Sequence, residues 1–240
     1  MLYYSVQKGK AILYIYYMSI TCIDNIKNVF FINLENRPDR KTHVQKELGS
    51  IGIIGNRFPA IKLTNGAIGC SMSHLKILEY AKESKLDHVL IVEDDIQFLN
   101  PDLFKKQLNM FLCNHAEFDV VLLAGNNMPP FRHIDECCVK VTRCQTTTGY
   151  LVKSHYYDTL INNFKLGINK LLHDPNLHLL YAIDRNWFHL QVRDNWYLII
   201  PLTVTQLANY SDIEGKLTNY RSVMLDLDKK NRLNQKGLSK

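Results

Sequence analysis

The sequence lacks the marks of membrane, disulfide-stapled and fibrous proteins. Its apolar stretch at residues 11–20 falls well short of the ~20 residues that a membrane-spanning helix needs, so we expect an extension or an added surface strand there. Only 11 glycines and 7 prolines are present, with no repeat and no Gly/Ser linker. The six cysteines are irregularly spaced, which is typical of reduced thiols in a reducing compartment. With 46% hydrophobic and 22% charged residues, the chain can bury a sizeable core.

The body of the chain also carries little net positive charge. The formal net charge is +6, but five Lys and Arg residues and no acid lie in residues 229–240, so the remainder is nearly neutral. This distribution excludes a nucleic-acid-binding face and predicts a solvated basic tail. We therefore divide the chain into an N-terminal extension (1–26), one domain (27–215) and a C-terminal tail (216–240).

A zinc module is not expected. His133, Cys137, Cys138 and Cys144 lie close together in sequence, but no second C-x-x-C or H-x-x-x-H half accompanies them.

Short apolar runs alternate with signals for helices. Strands are expected at 28–34, 88–93, 118–124, 147–152 and 197–205, and helices are expected to begin at Ser71, at Asn100-Pro101 and at Ser154. This alternation predicts an α/β fold with a mostly parallel central sheet flanked by helices. In such sheets ligands bind beyond the carboxyl ends of the strands.

Three consecutive carboxylates, Glu93, Asp94 and Asp95, follow the apolar run 88–92. Alternation along an extended chain predicts that Glu93 and Asp95 point to one side and Asp94 to the other. An acid-x-acid pair at the ligand-binding edge of a sheet can hold Mn²⁺ or Mg²⁺ with open positions for phosphate oxygens. A solvated acidic turn is the alternative.

The chain resembles glycosyltransferase family 25. The segments that carry the resemblance are FFINLENRPDR (30–40), GAIGCSMSHLKIL (66–78), HVLIVEDDIQF (88–98), TTTGYLVKSHY (146–156), AIDRNWF (182–188) and PLTVTQLANYSDI (201–213). The resemblance implies a GT-A (Rossmann-like) glycosyltransferase fold, a UDP-sugar donor, a divalent cation (Mn²⁺ or Mg²⁺) and an inverting reaction.

The resemblance also implies metal ligands. Asp95 is expected to bind the metal directly, and Glu93 to bind the metal or the ribose hydroxyls, with Asp94 doing so more weakly. Asp212, in the motif Ser211-Asp212-Ile213, is the expected third ligand, and a helix cap is the alternative role for it.

Nucleotide-sugar contacts are expected from two other segments. Asn33 and Arg37 should face the nucleotide, whereas Arg40 either does the same or pairs with Asp39 at the surface. Ser73 and His74 are expected in the first turn of the helix beginning near Ser71, whose free N–H groups would face an anion.

An inverting reaction needs a base for the acceptor hydroxyl. The resemblance favours Asp184, with Asp174 and Asp194 as substitutes, and helix capping is the alternative role of Asp184. Trp187 and Phe188 are interpreted as an apolar shelf for a sugar ring, or as core.

The leading hypothesis is a metal-dependent inverting transferase that moves galactose or glucose from a UDP-sugar to a glycan or glycoprotein hydroxyl, as in lipopolysaccharide biosynthesis. A catalytically degenerate binding protein and a metal-dependent phosphohydrolase are the alternatives. We expect a cytoplasmic protein without nucleic-acid partners, although the N-terminal apolar segment leaves membrane association open. A homodimer is also left open.

Overall fold

The computed structural model describes residues 3–7, 10–14, 20–211 and 215–229. The strands in these ranges are β1 (Tyr3–Gln7), β2 (Lys10–Tyr14), β3 (Val29–Asn33), β4 (Asn56–Pro59), β5 (His88–Glu93), β6 (Ile96–Phe98), β7 (Val120–Leu122), β8 (Asn126–Asn127), β9 (Arg132–His133), β10 (Cys138–Lys140), β11 (Cys144–Gln145), β12 (Gly149–Lys153), β13 (Trp196–Ile199), β14 (Val204–Gln206), β15 (Asn209–Ser211) and β16 (Lys216–Thr218). The α-helices are α1 (Pro38–Ser50), α2 (Gly66–Glu83), α3 (Pro101–Asn114), α4 (Tyr157–His173), α5 (His178–Tyr181), α6 (Ile183–Asn186), α7 (Phe188–Arg193) and α8 (Arg221–Met224).

Eight strands form the central sheet in the order β4-β3-β5-β12-β7-β13-β10-β9. Strands β4, β3 and β5 are parallel to one another, and so are β7 and β13. Strand β12 lies antiparallel between β5 and β7, and β10 lies antiparallel between β13 and β9. Six of the eight strands therefore run in one direction, which confirms the predicted α/β class with a mostly parallel sheet and agrees with the GT-A expectation.

Strand β5 is buried on both faces, as its unbroken apolar sequence predicts. Val89 and Ile91 pack into one core with apolar residues of α2, α4 and α7, and Leu90 and Val92 pack into the other with those of α1 and α3. All four are 0% exposed. Because β5 is held by both cores, the position of the acidic residues at its end is fixed as well.

The N-cap of helix α2 lies six residues earlier than predicted. Asn65, not Ser71, is its N-cap, because the Asn65 side chain accepts a hydrogen bond from the Ile68 N–H at 3.2 Å. Gly69 lies inside the helix, where a Cβ would collide with the Ile61 carbonyl oxygen. The glycine therefore allows close packing of α2 against residues 61–63.

Both ends of the described body pack more extensively than the predicted boundaries imply. Ile20, Ile23 and Ile26 are buried in the core that contains α1 and α3, and Val223 and Met224 join the same core. Val223 and Met224, which lie within the predicted C-terminal tail, therefore pack onto the folded body. Strands β1 and β2 pair with each other in antiparallel orientation.

Within the described ranges, we find no helix with the length and apolar character that crossing a bilayer requires.

Candidate functional site

The three carboxylates lie at the carboxyl edge of the central sheet. Glu93 is the last residue of β5, Asp94 and Asp95 form a tight turn, and β6 begins at Ile96. Strand β14 pairs with β6, and the Leu207 N–H donates to the Asp95 carbonyl at 2.7 Å. The chain from 204 to 211 is thereby brought beside the acidic turn from more than 100 residues away.

Asp94 is held by side chains of β3 and α1. Its Oδ2 accepts from Asn33 Nδ2 at 2.7 Å, and its Oδ1 accepts from Arg40 at 3.0 Å. Asn33 is itself fixed because its Oδ1 accepts from Arg57 Nε at 3.0 Å. Burial raises the pKa of Asp94, and the hydrogen bonds from Asn33 and Arg40 oppose that rise.

Asp95 carries the least compensated charge of the three. Its Oδ2 lies 3.4 Å from Arg40, whereas its Oδ1 is buried and has no hydrogen-bond partner among the described residues. Burial, followed by repulsion from Glu93, raises the pKa of Asp95 to about 8. The cluster is therefore short of positive charge at Asp95.

Arg40 lies across the turn rather than at the surface. It contacts Asp94 and Asp95 through the same nitrogen, and its other terminal nitrogen donates to the Tyr210 carbonyl at 3.0 Å. The expected alternation of side chains is wrong here, because residues 94 and 95 turn instead of continuing the strand and both contact Arg40.

Arg37 takes the surface pairing that was considered for Arg40. Its guanidinium binds the Asp39 carboxylate at 2.9 Å and 3.1 Å. The hydrogen bond from Arg37 lowers the pKa of Asp39 to about 2.

Glu93 belongs to a cluster of polar side chains next to the turn. Its Oε1 accepts from the Thr147 hydroxyl at 2.7 Å and lies 3.7 Å from His74 Nε2, and its Oε2 accepts from Gln206 at 3.1 Å. His74 is fully buried, and its Nδ1 lies 2.9 Å from the Tyr150 hydroxyl. Burial opposes ionisation of Glu93, but contacts with His74 and Thr147 outweigh burial and lower its pKa.

Asp184, at the start of α6, contacts the same 146–148 segment that binds Glu93. Its Oδ2 accepts from the Thr146 N–H at 3.1 Å, and burial raises its pKa although this hydrogen bond and Arg185 oppose the rise. Thr146 has φ 75°, an outlier for a β-branched residue that costs about 1–3 kcal/mol. With this backbone conformation, two adjacent residues contact two different acids. The Thr146 N–H donates to Asp184, and the Thr147 hydroxyl donates to Glu93.

Several predicted residues lie elsewhere. The fully buried Ser73 accepts from the Ile61 N–H and donates to the Gly69 carbonyl, so its hydrogen bonds hold the 61–63 segment onto α2. His74 lies well inside α2 rather than in its first turn. Asp194 lies with Arg193 and Tyr156, and Asp174 caps the turn that follows α4.

The predicted sugar shelf is wrong in part. Trp187 is 0% exposed, its indole N–H donates to the Cys144 carbonyl at 3.0 Å, and its ring lies 5.1 Å from that of Trp196. Both tryptophans belong to the core, and only Phe188 of the proposed pair is partly exposed.

Asp212 lies outside the described residues. The described chain stops at Ser211 and resumes at Gly215. Arg40 donates a hydrogen bond to the carbonyl of Tyr210, the residue before Ser211.

The donor set fits a hard divalent cation. Asp94 and Asp95 share one guanidinium, that of Arg40, and two buried oxygens, Asp95 Oδ1 and Gln206 Oε1, have no hydrogen-bond partner among the described residues. Arg40 uses only Oδ2 of Asp95, at a distance long for a hydrogen bond, so Oδ1 is left for an ion.

The fold and the cluster define an α/β protein with an acidic site at the carboxyl edge of its sheet. A family profile described as Glycosyltransferase family 25 (LPS biosynthesis protein) matches residues 60–174, a little under half of the chain. The chain is 28% identical over 193 residues to a glycosyltransferase 25 family member of Anopheles gambiae, a match covering 67% of this chain and 31% of the relative. It is 25% identical over 189 residues to the human inactive glycosyltransferase 25 family member 3, covering 65% of this chain and 30% of the relative.

These matches confirm the predicted resemblance to glycosyltransferase family 25. This chain spans less than a third of the length of both animal relatives. Among solved structures, a glycosyltransferase involved in glycosylation of the major capsid of PBCV-1 aligns with a TM-score of 0.43 and 9% identity, covering 83% of this chain and 90% of that one.

Proposed function

We propose that this chain is a divalent-cation-dependent glycosyltransferase that moves a hexose, galactose or glucose, from a UDP-sugar to a hydroxyl of a glycan or glycoprotein, with inversion. The observation that carries the proposal is the acidic turn at Asp94-Asp95, fixed at the end of a strand buried on both faces. One buried oxygen of this turn, Asp95 Oδ1, has no partner among the described residues. The resemblance to family 25 supports the same reaction class.

Each acidic residue takes a distinct role in this proposal. Asp95 binds Mn²⁺ or Mg²⁺ through Oδ1, with Glu93 and Asp212 as further ligands. Asp94 orients Arg40 and Asn33 beside the diphosphate. When bound, the cation stabilises negative charge on the departing diphosphate as a Lewis acid.

Arg40 supplies a second positive charge at the same place. Its guanidinium is 11% exposed and already fixed by Asp94 and the Tyr210 carbonyl, so little reorganisation is needed for it to face developing charge. We assign nucleotide contacts to Arg37 and Asn33 as well. His74 has a positioning role, because its ring lies beside the Glu93 carboxylate.

Asp184 is the proposed base. It takes the proton of the acceptor hydroxyl as that oxygen forms a bond to the anomeric carbon and the bond from that carbon to the diphosphate breaks, releasing UDP. Its raised pKa moves it toward the neutral range in which a general base works well. Nothing in this scheme requires Ser73, so we leave it out of the site.

The test is UDP release from a panel of UDP-sugars, with Mn²⁺ and with chelator. We expect cation-dependent release that falls at least about 100-fold in Asp95→Asn. Asp158→Asn is the matched control, because Asp158 is an exposed acid paired with Lys82. No cation-dependent release from any UDP-sugar, or full activity in Asp95→Asn, would contradict the proposal.

One observation favours a second candidate, a degenerate member that binds the nucleotide without transfer. Arg40 already neutralises part of the acidic turn, and the human relative described above is named inactive. Cation-dependent UDP binding with no UDP release across the panel would support this alternative.

A further inference from the structure

A second group of metal-binding side chains lies far from the acidic turn. It comprises His115, at the end of α3, together with Asp135, Cys137 and Cys138 from the loop between β9 and β10 and the start of β10. One potential ligand atom from each residue lies within 4.8 Å of all the others. Strand β10 is separated from β5 by β12, β7 and β13, so this group is independent of the candidate active site.

The spacing of these atoms is close to that of a tetrahedral zinc site. Zn–S bonds of about 2.3 Å and Zn–N bonds of about 2.0–2.1 Å place sulfur and nitrogen ligands about 3.6 Å apart. Cys138 Sγ lies 3.7 Å from His115 Nε2. Asp135 Oδ2 lies 2.6 Å from the same nitrogen, so the carboxylate has to move by less than about 1 Å to reach the ~3.3 Å of a zinc site.

The ligands are held in place by contacts outside the group. The His115 ring packs against both Phe111 and Tyr197, at centroid distances of 5.1 Å and 5.8 Å. Both thiols are fully buried, whereas the His115 and Asp135 side chains are 19% and 31% exposed, which leaves a path for an ion.

The conformation of the loop at residues 135–138 also brings the two cysteine sulfurs together. Asp135 Oδ1 accepts from the Cys137 and Cys138 N–H groups at 2.9 Å and 3.1 Å. These bonds curl the backbone so that two adjacent cysteines present sulfur to one point, which a regular strand would not allow.

We propose that His115, Asp135, Cys137 and Cys138 form a structural site for Zn²⁺ or a similar thiophilic divalent ion. Binding releases one proton from each cysteine, since the thiolate is the ligand. The ion ties the end of α3 to the β9–β10 edge of the sheet and so rigidifies the loop at 134–138. Two sulfurs and an imidazole select zinc over the oxygen-preferring Mn²⁺ and Mg²⁺.

This set differs from the one considered from the sequence. His133 is exposed on β9, and Cys144 lies on β11, where its N–H donates to Gln191. Neither belongs to the group, while His115 and Asp135 complete it from positions that no zinc-binding pattern in the sequence singles out.

The experiment titrates Co²⁺ and Zn²⁺ into the full chain after reduction and chelation. We expect one ion per chain, a thiolate-to-cobalt charge-transfer band, displacement of Co²⁺ by Zn²⁺ but not by excess Mn²⁺, and a Zn²⁺-dependent rise in Tm. His115→Gln should weaken binding about 100-fold, and Cys138→Ser should abolish the band.

Two controls separate this site from other metal-binding groups. His133→Asn replaces the exposed histidine nearby, and Cys70→Ser removes the thiol of the Cys70, His74 and Glu93 group beside the acidic turn. Both should keep the band. No band in the wild type, a band retained in Cys138→Ser, or loss of the band in Cys70→Ser would overturn the proposal. Because His115 is partly exposed, His115→Gln keeps the test decisive should Cys138→Ser fail to fold.

Discussion

Asp95→Asn should stabilise the metal-free protein while removing its response to Mn²⁺. A buried oxygen without a partner costs about 1–3 kcal/mol, and the amide removes the repulsion from Glu93 as well. The Asp95 side chain is only 16% exposed, so water screens little of that cost. We expect the free energy of unfolding in chelator to rise by about 1–3 kcal/mol, or Tm by about 2–12 °C for a chain of this size.

Asp194→Asn is the matched control for this experiment. The Asp194 side chain is also 16% exposed, but hydrogen bonds from Arg193 and Tyr156 lower its pKa although burial opposes them. Its replacement should therefore destabilise the protein. Thermal unfolding in chelator and in Mn²⁺ measures both effects. A fall in Tm for Asp95→Asn in chelator, or a Mn²⁺-dependent rise in that variant equal to the wild type's, would refute the reasoning.

Three further predictions concern packing and pH. Trp187→Ala should lower the free energy of unfolding by about 3–5 kcal/mol in denaturant titrations, because it empties a fully buried core position; a loss below 1 kcal/mol would restore the interpretation as a sugar shelf. Gly69→Ala should cost about 1–3 kcal/mol by the same measurement, because the new methyl meets the Ile61 carbonyl; an unchanged stability would contradict the close packing. The lowered pKa of Asp194 contributes stability that is present above its unfolded-state pKa and lost as pH falls through the folded-state pKa, so acid unfolding monitored by circular dichroism should be less steep in Asp194→Asn than in the wild type.

Local patterns were sufficient to predict the layered fold. The apolar run at 88–92 predicts a strand buried on both faces, and Asn100-Pro101 predicts the start of α3, both of which the structure confirms. The antiparallel insertion of β12 could not be predicted in the same way. A strand covered on both faces has the same apolar sequence whether its neighbours run parallel or antiparallel to it.

Helix α2 shows where local patterns mislead. Gly66 and Gly69 lower helix propensity, and Ser71 is a good cap, so the sequence favours a late start. Close approach of residues 61–63 requires the small residue at 69, and tertiary packing overrides the propensity. The same applies to Trp187, whose burial depends on a hydrogen bond to a residue 43 positions away.

The candidate site could be predicted only in its acidic part. The sequence locates Glu93, Asp94 and Asp95 and nominates Asn33, which contacts Asp94. Thr147 and Gln206 bind Glu93 from 54 and 113 positions away, and no periodic pattern carries such contacts. The TTTGY segment was the available signal for Thr147, since it is among the segments that resemble the family.

Calorimetric titration of UDP into the wild type and Asp95→Asn, each with Mn²⁺ and with chelator, shows whether Asp95 holds a cation that binds the nucleotide. We expect saturable UDP binding by the wild type that weakens at least about 10-fold when Mn²⁺ is withheld, and no Mn²⁺ effect in Asp95→Asn. Equal UDP affinity with and without the cation in the wild type, or no UDP binding at all, would contradict this expectation.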